Sequence, residues 1–386
     1  MSSTTLRHGA FIAPYHSLDE DPTALFQRDL ELMEWLDRLG YDEGWVGEHH
    51  SGGFEMIASP ELFIAAAAER TRRLRLGTGV VSLPYHNPLM VANRIIQLDH
   101  MTRGRIMFGV GPGLLPSDAL MLGIDPAVQR DRMAQSLDVI LRLFRGETVT
   151  ETTDWYTLVK ARAHLLPYSR PYPEVAVASS ISPSGALVAG RNGLSMLCVA
   201  ATNQAGFDTL GTNWAIAQKT ASDHGHEMDA GSLRLVGPIH IAETREKARK
   251  NVEVGLQEYA EYFNRLQPGR YPTGESLIDY FNDTNLGVIG TADDAIAMIE
   301  RLQKKQGDFG VFLQLGHDWA DWDATKKSYE LYARFVTPHF RKANQNRNAS
   351  LDWIEQNNTD FNNQQKGAVD AMIARHQTAT SAGREK

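Results

Sequence analysis

Along the chain, short β-rich hydrophobic runs alternate with stretches of helical spacing, the pattern of a parallel sheet with crossover helices. The run HGAFIAP, His8 to Pro14, reads as the first strand. Asp21-Pro22 caps a stretch from Thr23 to Leu39 in which Leu25, Phe26, Leu30, Met33, Leu36 and Leu39 keep a helical period, and Gly40 ends it. The second unit is Glu43 to His50, a glycine-containing loop, and Ser59-Pro60 as N-cap and first position of the helix ELFIAAAAERT. Leu74 to Pro84 with the helix MVANRIIQLDHM forms the third unit, and Arg105 to Gly113 is the fourth strand. A looser loop from Leu114 to Val128 leads to the helix RMAQSLDVILRLFRG, and residues 147–173 are too irregular for a barrel core.

Strands five to eight are Glu174 to Ser180, Ser195 to Val199, Leu233 to Ala242 and Phe309 to Gly316, each followed by a helix. Eight such units close a (β/α)8 TIM barrel. A doubly wound open sheet would need fewer, and a Gly-rich phosphate loop after its first strand that this sequence lacks. A barrel takes about 250 residues, so the surplus of a 386-residue chain falls at 114–173, at 252–289 and in the polar run from Lys342. The expected organisation is one barrel domain over 1–341, with insertions that enclose a site, and a polar peripheral tail over 342–386.

Composition narrows the partners. With 42% hydrophobic and 22% charged residues the chain is no disordered polymer. Its net charge of −8 argues against a nucleic-acid or anionic-membrane surface and favours a small uncharged ligand. A single cysteine, Cys198, excludes an internal disulfide framework or a cysteine zinc cluster. The amino terminus lacks the apolar core of a signal peptide, and no window approaches a membrane span, so a soluble cytoplasmic protein is expected.

Barrel sites are built at the C-terminal ends of the strands. Glu48-His49-His50 ends strand two, where imidazole suits a hydrogen-bond donor or general acid/base; a histidine packing under a loop is the plainer alternative, and no partner motif supports a metal. Gly77-Thr78-Gly79-Val80 places two glycines inside strand three, which marks a bulge, a flat ligand against the backbone, or tight barrel packing. Gly109, Gly111 and Gly113 end strand four as possible turn formers. Ser179, Ser180, Ser182 and Ser184, with Pro183 near the start of a helix, gather hydroxyls and free N–H groups suited to phosphate, or to plain capping by Ser182. Arg94, Asp99 and Arg105 are expected in structural salt links. Trp155, Tyr156, Tyr172, Tyr259, Tyr262, Phe263, Tyr271, Tyr280 and Phe281 fall in the insertions, either lining an apolar pocket or packing inserted helices.

The run from VGEHHSGGFEM through RIMFGVGPG resembles the amino-terminal signature of the bacterial luciferase-like flavin-dependent monooxygenases. Overall length and the tail motif LDWIEQN are similar to the limonene-oxidising branch of that family. The resemblance implies a barrel that binds reduced FMN or FAD together with O2, a separate reductase that draws on NADH, and epoxidation of an apolar, terpene-like alkene such as limonene. It implies His49 as the histidine assisting the oxygen chemistry, with His50 second, and Glu48, Gly79, Val80, Gly109, Gly111, Ser179, Ser180, Ser182 and Ser184 at the flavin. Gly79-Val80 falls where the family often has a non-prolyl cis peptide. Departures are Pro112 in place of luciferase's phosphate-holding arginine, Ser179 in place of a carboxylate, and Gly111 in place of a reactive cysteine. Kinship also implies a homodimer through the alanine-rich helix at Ile64 to Ala68. The alternatives are a deazaflavin-dependent hydride-transfer enzyme of the same fold, a non-enzymatic flavin-binding protein, and a metal-dependent barrel hydrolase.

Overall fold

The computed structural model describes residues 5–13, 15–274 and 276–382; Pro14, at the end of the predicted first strand, lies outside them. In chain order the elements are β1 (Arg7–Ile12), α1 (Pro22–Leu39), β2 (Glu43–Val46), α2 (Pro60–Arg70), β3 (Arg75–Thr78), β4 (Val81–Ser82), α3 (Pro88–Thr102), β5 (Ile106–Gly111), α4 (Pro116–Met121) and α5 (Gln129–Phe144). They continue with β6 (Val149–Thr152), β7 (Thr157–Ala161), β8 (Glu174–Ser179), α6 (Ser184–Asn192), β9 (Ser195–Cys198), α7 (Gln204–Asp223), β10 (Leu233–Ile241), α8 (Arg245–Val252), α9 (Gly255–Leu266) and α10 (Ser276–Asp283). Then follow β11 (Val288–Gly290), α11 (Ala292–Gln306), β12 (Val311–Leu315), α12 (Trp322–Leu331), α13 (Thr337–Phe340) and α14 (Gln345–Ala382).

Parallel pairing runs from β12 to β1, β2, β3, β5, β8, β9 and β10, and β10 returns to β12. This ring is the closed eight-stranded barrel. Its strands are buried on both faces, so β2 and β10 hide every residue, charged ones included. Helix α1 shows how local sequence sets the elements: Asp21 accepts a hydrogen bond from the Ala24 N–H, Pro22 opens the first turn, and Gly40 closes the helix at φ 80°. Met33 and Leu36, one turn apart, are wholly buried against the barrel.

The floor of the barrel is charged. Arg234 on β10 is fully buried and donates through Nε to Glu43 Oε2 at 2.8 Å and through Nη2 to Glu43 Oε1 at 3.0 Å. The same Nη2 lies 2.7 Å from Glu174 Oε1. Arg7 reaches Glu43 at 2.9 Å, Arg75 reaches Glu174 at 2.9 Å, and the Trp45 indole N–H and the Ser195 hydroxyl take the remaining carboxylate positions. Burial alone would raise the Glu43 carboxyl, but Arg234 and then Arg7 outweigh it and hold its pKa below the usual range.

Several boundaries differ from the sequence reading. Strand two stops at Val46, so Glu48-His49-His50 lies on the following loop, where the His49 N–H donates to Ile57 O at 3.1 Å. Strand three is two pieces, β3 and β4, separated by a cis peptide between Gly79 and Val80. Across that break the Thr78 hydroxyl accepts from the Gly109 N–H and donates to Gly109 O, replacing ladder bonds. The loop expected over 114–128 contains α4 and a short 3-10 turn, 147–173 carries the β6–β7 hairpin, and β11 adds to β10 outside the ring. Ser59 precedes α2 without capping it, because its hydroxyl donates to Glu61. Of the three expected salt links only Arg94 makes an ion pair, with Glu61 at 3.2 Å. Asp99 instead accepts from Ser169, and Arg105 donates to Thr71 and to the carbonyls of Ala68 and Leu74.

The chain divides into two compact units, residues 1–337 and 338–386. The second consists chiefly of α14, whose side chains are mostly exposed and polar. Among the described residues no helix is long and apolar enough to cross a membrane.

Removing Arg234 strands Glu43 in the floor without its main partner. We expect Arg234→Leu to lose about 3–5 kcal/mol of stability, read as a lower urea midpoint by circular dichroism; an unchanged midpoint contradicts the role given to the floor.

Candidate functional site

A cavity of about 380 Å³ opens at the C-terminal end of the barrel, and its walls come from the ends of β1, β2, β5, β8, β9 and β12 and the loops after them, from the β3–β4 segment, and from α5 and α9. It collects Glu48, His49, Gly79, Val80, Ser179, Ser180, Ser182 and Ser184 of the sequence candidates; His50, Gly109 and Gly111 lie outside its lining. A larger cleft of about 480 Å³ beside α8, α10 and α11 gathers none of them, and its Arg245 and Arg249 are already paired with Asp294 and Asp279. The chemistry-bearing groups therefore converge at the barrel mouth.

His49 is held between two carboxylates. Its Nε2 lies 2.6 Å from Glu55 Oε2 and its Nδ1 lies 3.3 Å from Asp118 Oδ2. Burial by itself would lower the imidazole pKa, but Glu55 and then Asp118 override it, so His49 is raised above the ordinary histidine value. Asp118 also accepts from the His50 N–H and from the Ser51 hydroxyl. His50 turns away from the cavity: its Nε2 pairs with Glu48 Oε1 at 2.9 Å, and its ring meets Tyr85 edge-on.

Glu48 is occupied by protein partners. Oε1 takes His50 and, at 2.6 Å, His86, while Oε2 accepts the Ser82 N–H at 2.6 Å. Burial opposes ionisation, yet these partners pull its pKa down to about 2. The carboxylate thus ties the loop after β2 to β4 and fixes the chain beside Gly79-Val80.

The glycines divide by role. Gly79 lines the cavity with Val80, and a Cβ on it would meet the Phe11 ring at 2.7 Å. Gly109 is a packing residue, since a Cβ there would run into Thr78 O and approach Trp45 at 2.9 Å. At Gly111 a Cβ would meet Val80 Cγ2 at 2.5 Å, so its smallness lets Val80 seat beside it.

On the opposite side, β8 ends in a turn rich in donors. Ser182 and Ser184 hydroxyls are 2.9 Å apart, and neither caps α6, whose N-cap position is Pro183 without a side-chain bond. Ser179 Oγ is buried with no nitrogen or oxygen partner. Arg130, at the start of α5, is exposed and lines the same cavity.

Aromatic groups cover the mouth. Tyr15 stacks on Phe54 at 5.0 Å and meets Tyr259 at 4.9 Å and Tyr262 at 5.3 Å. Phe263 and Tyr271 extend the cluster, with Arg270 over the Phe263 ring at 4.5 Å. Of the aromatics singled out from sequence, those in 252–289 join this cover. Trp155 and Tyr156 pack on each other at the hairpin, and Tyr172 packs beside Phe144. The sequence reading missed Tyr15, Glu55, Asp118, Arg130 and Arg270. All but Arg270 follow a strand end at some distance, yet nothing in their local sequence marks them.

The luciferase-like monooxygenase family model matches residues 7–308. The chain is 50% identical over 334 residues to limonene 1,2-monooxygenase of Rhodococcus erythropolis, covering 86% of each chain. It is 46% identical over 354 residues to 4-hydroxyprotoasukamycin monooxygenase of Streptomyces nodosus subsp. asukaensis, covering 90% of this chain and 95% of that one. Its fold is similar to the oxygenating constituent of 3,6-diketocamphane monooxygenase of Pseudomonas putida, a type II Baeyer-Villiger monooxygenase solved with FMN. That likeness has a TM-score of 0.73 at 23% identity, over 86% of this chain and 98% of the other.

The Glu48 carboxyl titrates at about 2 in the fold against an ordinary 4.5, so its stabilising contribution is complete above about pH 4.5 and is lost as pH falls through about 2. We expect Glu48→Gln to cost about 2 kcal/mol at pH 7, with the gap to the unsubstituted protein narrowing between pH 4.5 and 2 in thermal melts. A gap that does not change with pH contradicts this assignment.

Proposed function

Since the chain belongs to the luciferase-like monooxygenase family and is a flavin-dependent monooxygenase, we propose that it uses reduced FMN or FAD and O2 to epoxidise an apolar, terpene-like alkene such as limonene. The observation that carries this reading is one cavity with an anion-accepting wall, an apolar wall and a single protonatable ring, that of His49. Half identity to a limonene 1,2-monooxygenase supports the substrate class.

The donor set fits a flavin phosphate. Residues 179–185 contribute hydroxyls and the N–H groups of the first turn of α6 with no carboxylate among them, and Arg130 adds the cation that Pro112 cannot. Ser180, Ser182, Ser184 and Arg130 would hold the phosphate, and Gly79-Val80 offers a wall without a bulky side chain at Gly79 for the flat ring system. When bound, reduced flavin supplies the electrons that activate O2 for transfer of one oxygen atom to the substrate. The chain's own tasks are positional. Tyr15, Tyr259 and Phe263 shield the cavity from water, the apolar walls at Phe11, Val80 and Leu315 orient a hydrocarbon, and His49 holds a proton at the cavity wall.

The flavin is reduced elsewhere, by a partner reductase that draws on NADH; a structural neighbour described as an oxygenating constituent supports such a division of labour. The protein works in the cytoplasm as a homodimer. Exposed Leu62 on α2 and Met90 and Met101 on α3 support an interface there, whereas Ile64, Ala67 and Ala68 are turned into the protomer's own packing.

Incubation with a flavin reductase, NADH, flavin and limonene under isotopically labelled O2 is expected to give an epoxide carrying one labelled oxygen. His49→Ala should lower turnover about 100-fold. No labelled product across a monoterpene panel contradicts the substrate class, and tight deazaflavin binding with indifference to FMN and FAD contradicts the cofactor.

A further inference from the structure

We propose that Glu55 is the positioning residue of this site: from the cavity wall it fixes a proton on His49 Nε2, while Asp118 anchors the ring from behind at Nδ1. The role rests on the monooxygenase reading for its chemical purpose, but the geometry stands independently of it.

The two carboxylates are not equivalent. Glu55 lines the cavity together with His49, whereas Asp118 lies outside the lining and has a side chain only 2% exposed. Asp118 is committed on its other oxygen to the His50 N–H and the Ser51 hydroxyl, and Ser51 is in turn 2.7 Å from the Ser117 hydroxyl. It anchors the loop after β2 to helix α4. Glu55 is tethered through its backbone, which makes an isolated antiparallel bridge with Tyr15, while its carboxylate faces His49 at 2.6 Å.

This arrangement favours the imidazolium. A carboxylate beside each ring nitrogen can only accept, so the charged ring carries one proton on Nε2, paired with Glu55 at 2.6 Å, and one on Nδ1, facing Asp118. The remaining groups around the pair do not compete for the Nε2 proton. His50 is committed to Glu48, and Tyr15 and Tyr262, which face Glu55, are phenols whose own ionisation is raised by burial. Glu55 holds that proton at the cavity wall, whereas Asp118 lies outside the cavity lining. Replacing Glu55 therefore removes the acceptor that keeps the proton at the cavity face and leaves the ring's rear anchor intact.

The test is ¹⁵N and ¹³C NMR of the His49 ring in the flavin-free full-length protein across pH, assigned by its loss in His49→Ala. In the unsubstituted protein we expect an Nε2-protonated ring whose titration midpoint lies above that of an ordinary histidine. Glu55→Gln should move the midpoint down, and Glu55→Asp should restore part of the displacement. In turnover, Glu55→Gln should lower kcat about tenfold or more, move the alkaline limb of the pH profile in the same direction as the NMR midpoint, and leave KM for the alkene nearly unchanged. A neutral Nδ1–H tautomer at neutral pH in the unsubstituted protein overturns the proposal without any variant. An unchanged midpoint in a folded Glu55→Gln protein overturns it as well. If the midpoint moves as expected while no alkene is oxygenated, the role of Glu55 stands and the substrate reading fails.

Discussion

The buried ion pair between Arg234 and Glu43 is the constraint on which the rest depends. Two ionised groups inside a barrel are costly unless they are closely paired and hydrogen-bonded. Here the partners are the first or second residues of β1, β2, β3, β8, β9 and β10, which leave only Nη1 of Arg234 without a hydrogen bond among the groups of this floor. Each of these strands must begin at the height that brings its residue to the floor, so the charges set register as well as closure. Residues at the other ends of the same strands are thereby delivered to the mouth at defined heights. Stability at the bottom and chemistry at the top is the division of labour of barrels generally.

The mouth repeats the principle with histidines. His49 is paired with Glu55 and Asp118, Glu48 with His50 and His86, and His16 behind Tyr15 with Asp29 and Asp318. Each pair ties a loop to a neighbouring element, which gives segments without regular structure the rigidity a site needs. The apolar and aromatic cover contributed by α9 and α10 then raises the strength of these interactions by excluding water. The mouth is a set of paired charges at the edge of a cavity whose wall includes His49.

Much of this was legible in the sequence, for physical reasons that differ by element. The eight β–α units showed because buried parallel strands and amphipathic helices carry distinct hydrophobic periods, and α1 showed its ends through Asp21, Pro22 and Gly40. The serine turn and His49, which line the cavity, stood out because several polar residue types stand together shortly after a strand. What could not be read were contacts made between segments far apart in the chain. Glu55, Asp118 and Arg130 have no local signature, and only folding brings them to His49 and to the serine turn. Glycine was ambiguous for the same reason: Gly79 lines the cavity while Gly109 yields space to Thr78 and Trp45, a distinction set by neighbours across the sheet. His50 shares its type with His49, but its direction is decided by Glu48.

A crystal structure of the protein with FMN bound decides whether this cavity is the flavin site. The phosphate is expected at the turn of Ser180, Ser182 and Ser184 within hydrogen-bond reach of Arg130, and the ring system against Gly79-Val80 with His49 on the same cavity wall as the reacting face. Flavin bound outside this cavity, or with its phosphate away from the serine turn and Arg130, would contradict this assignment.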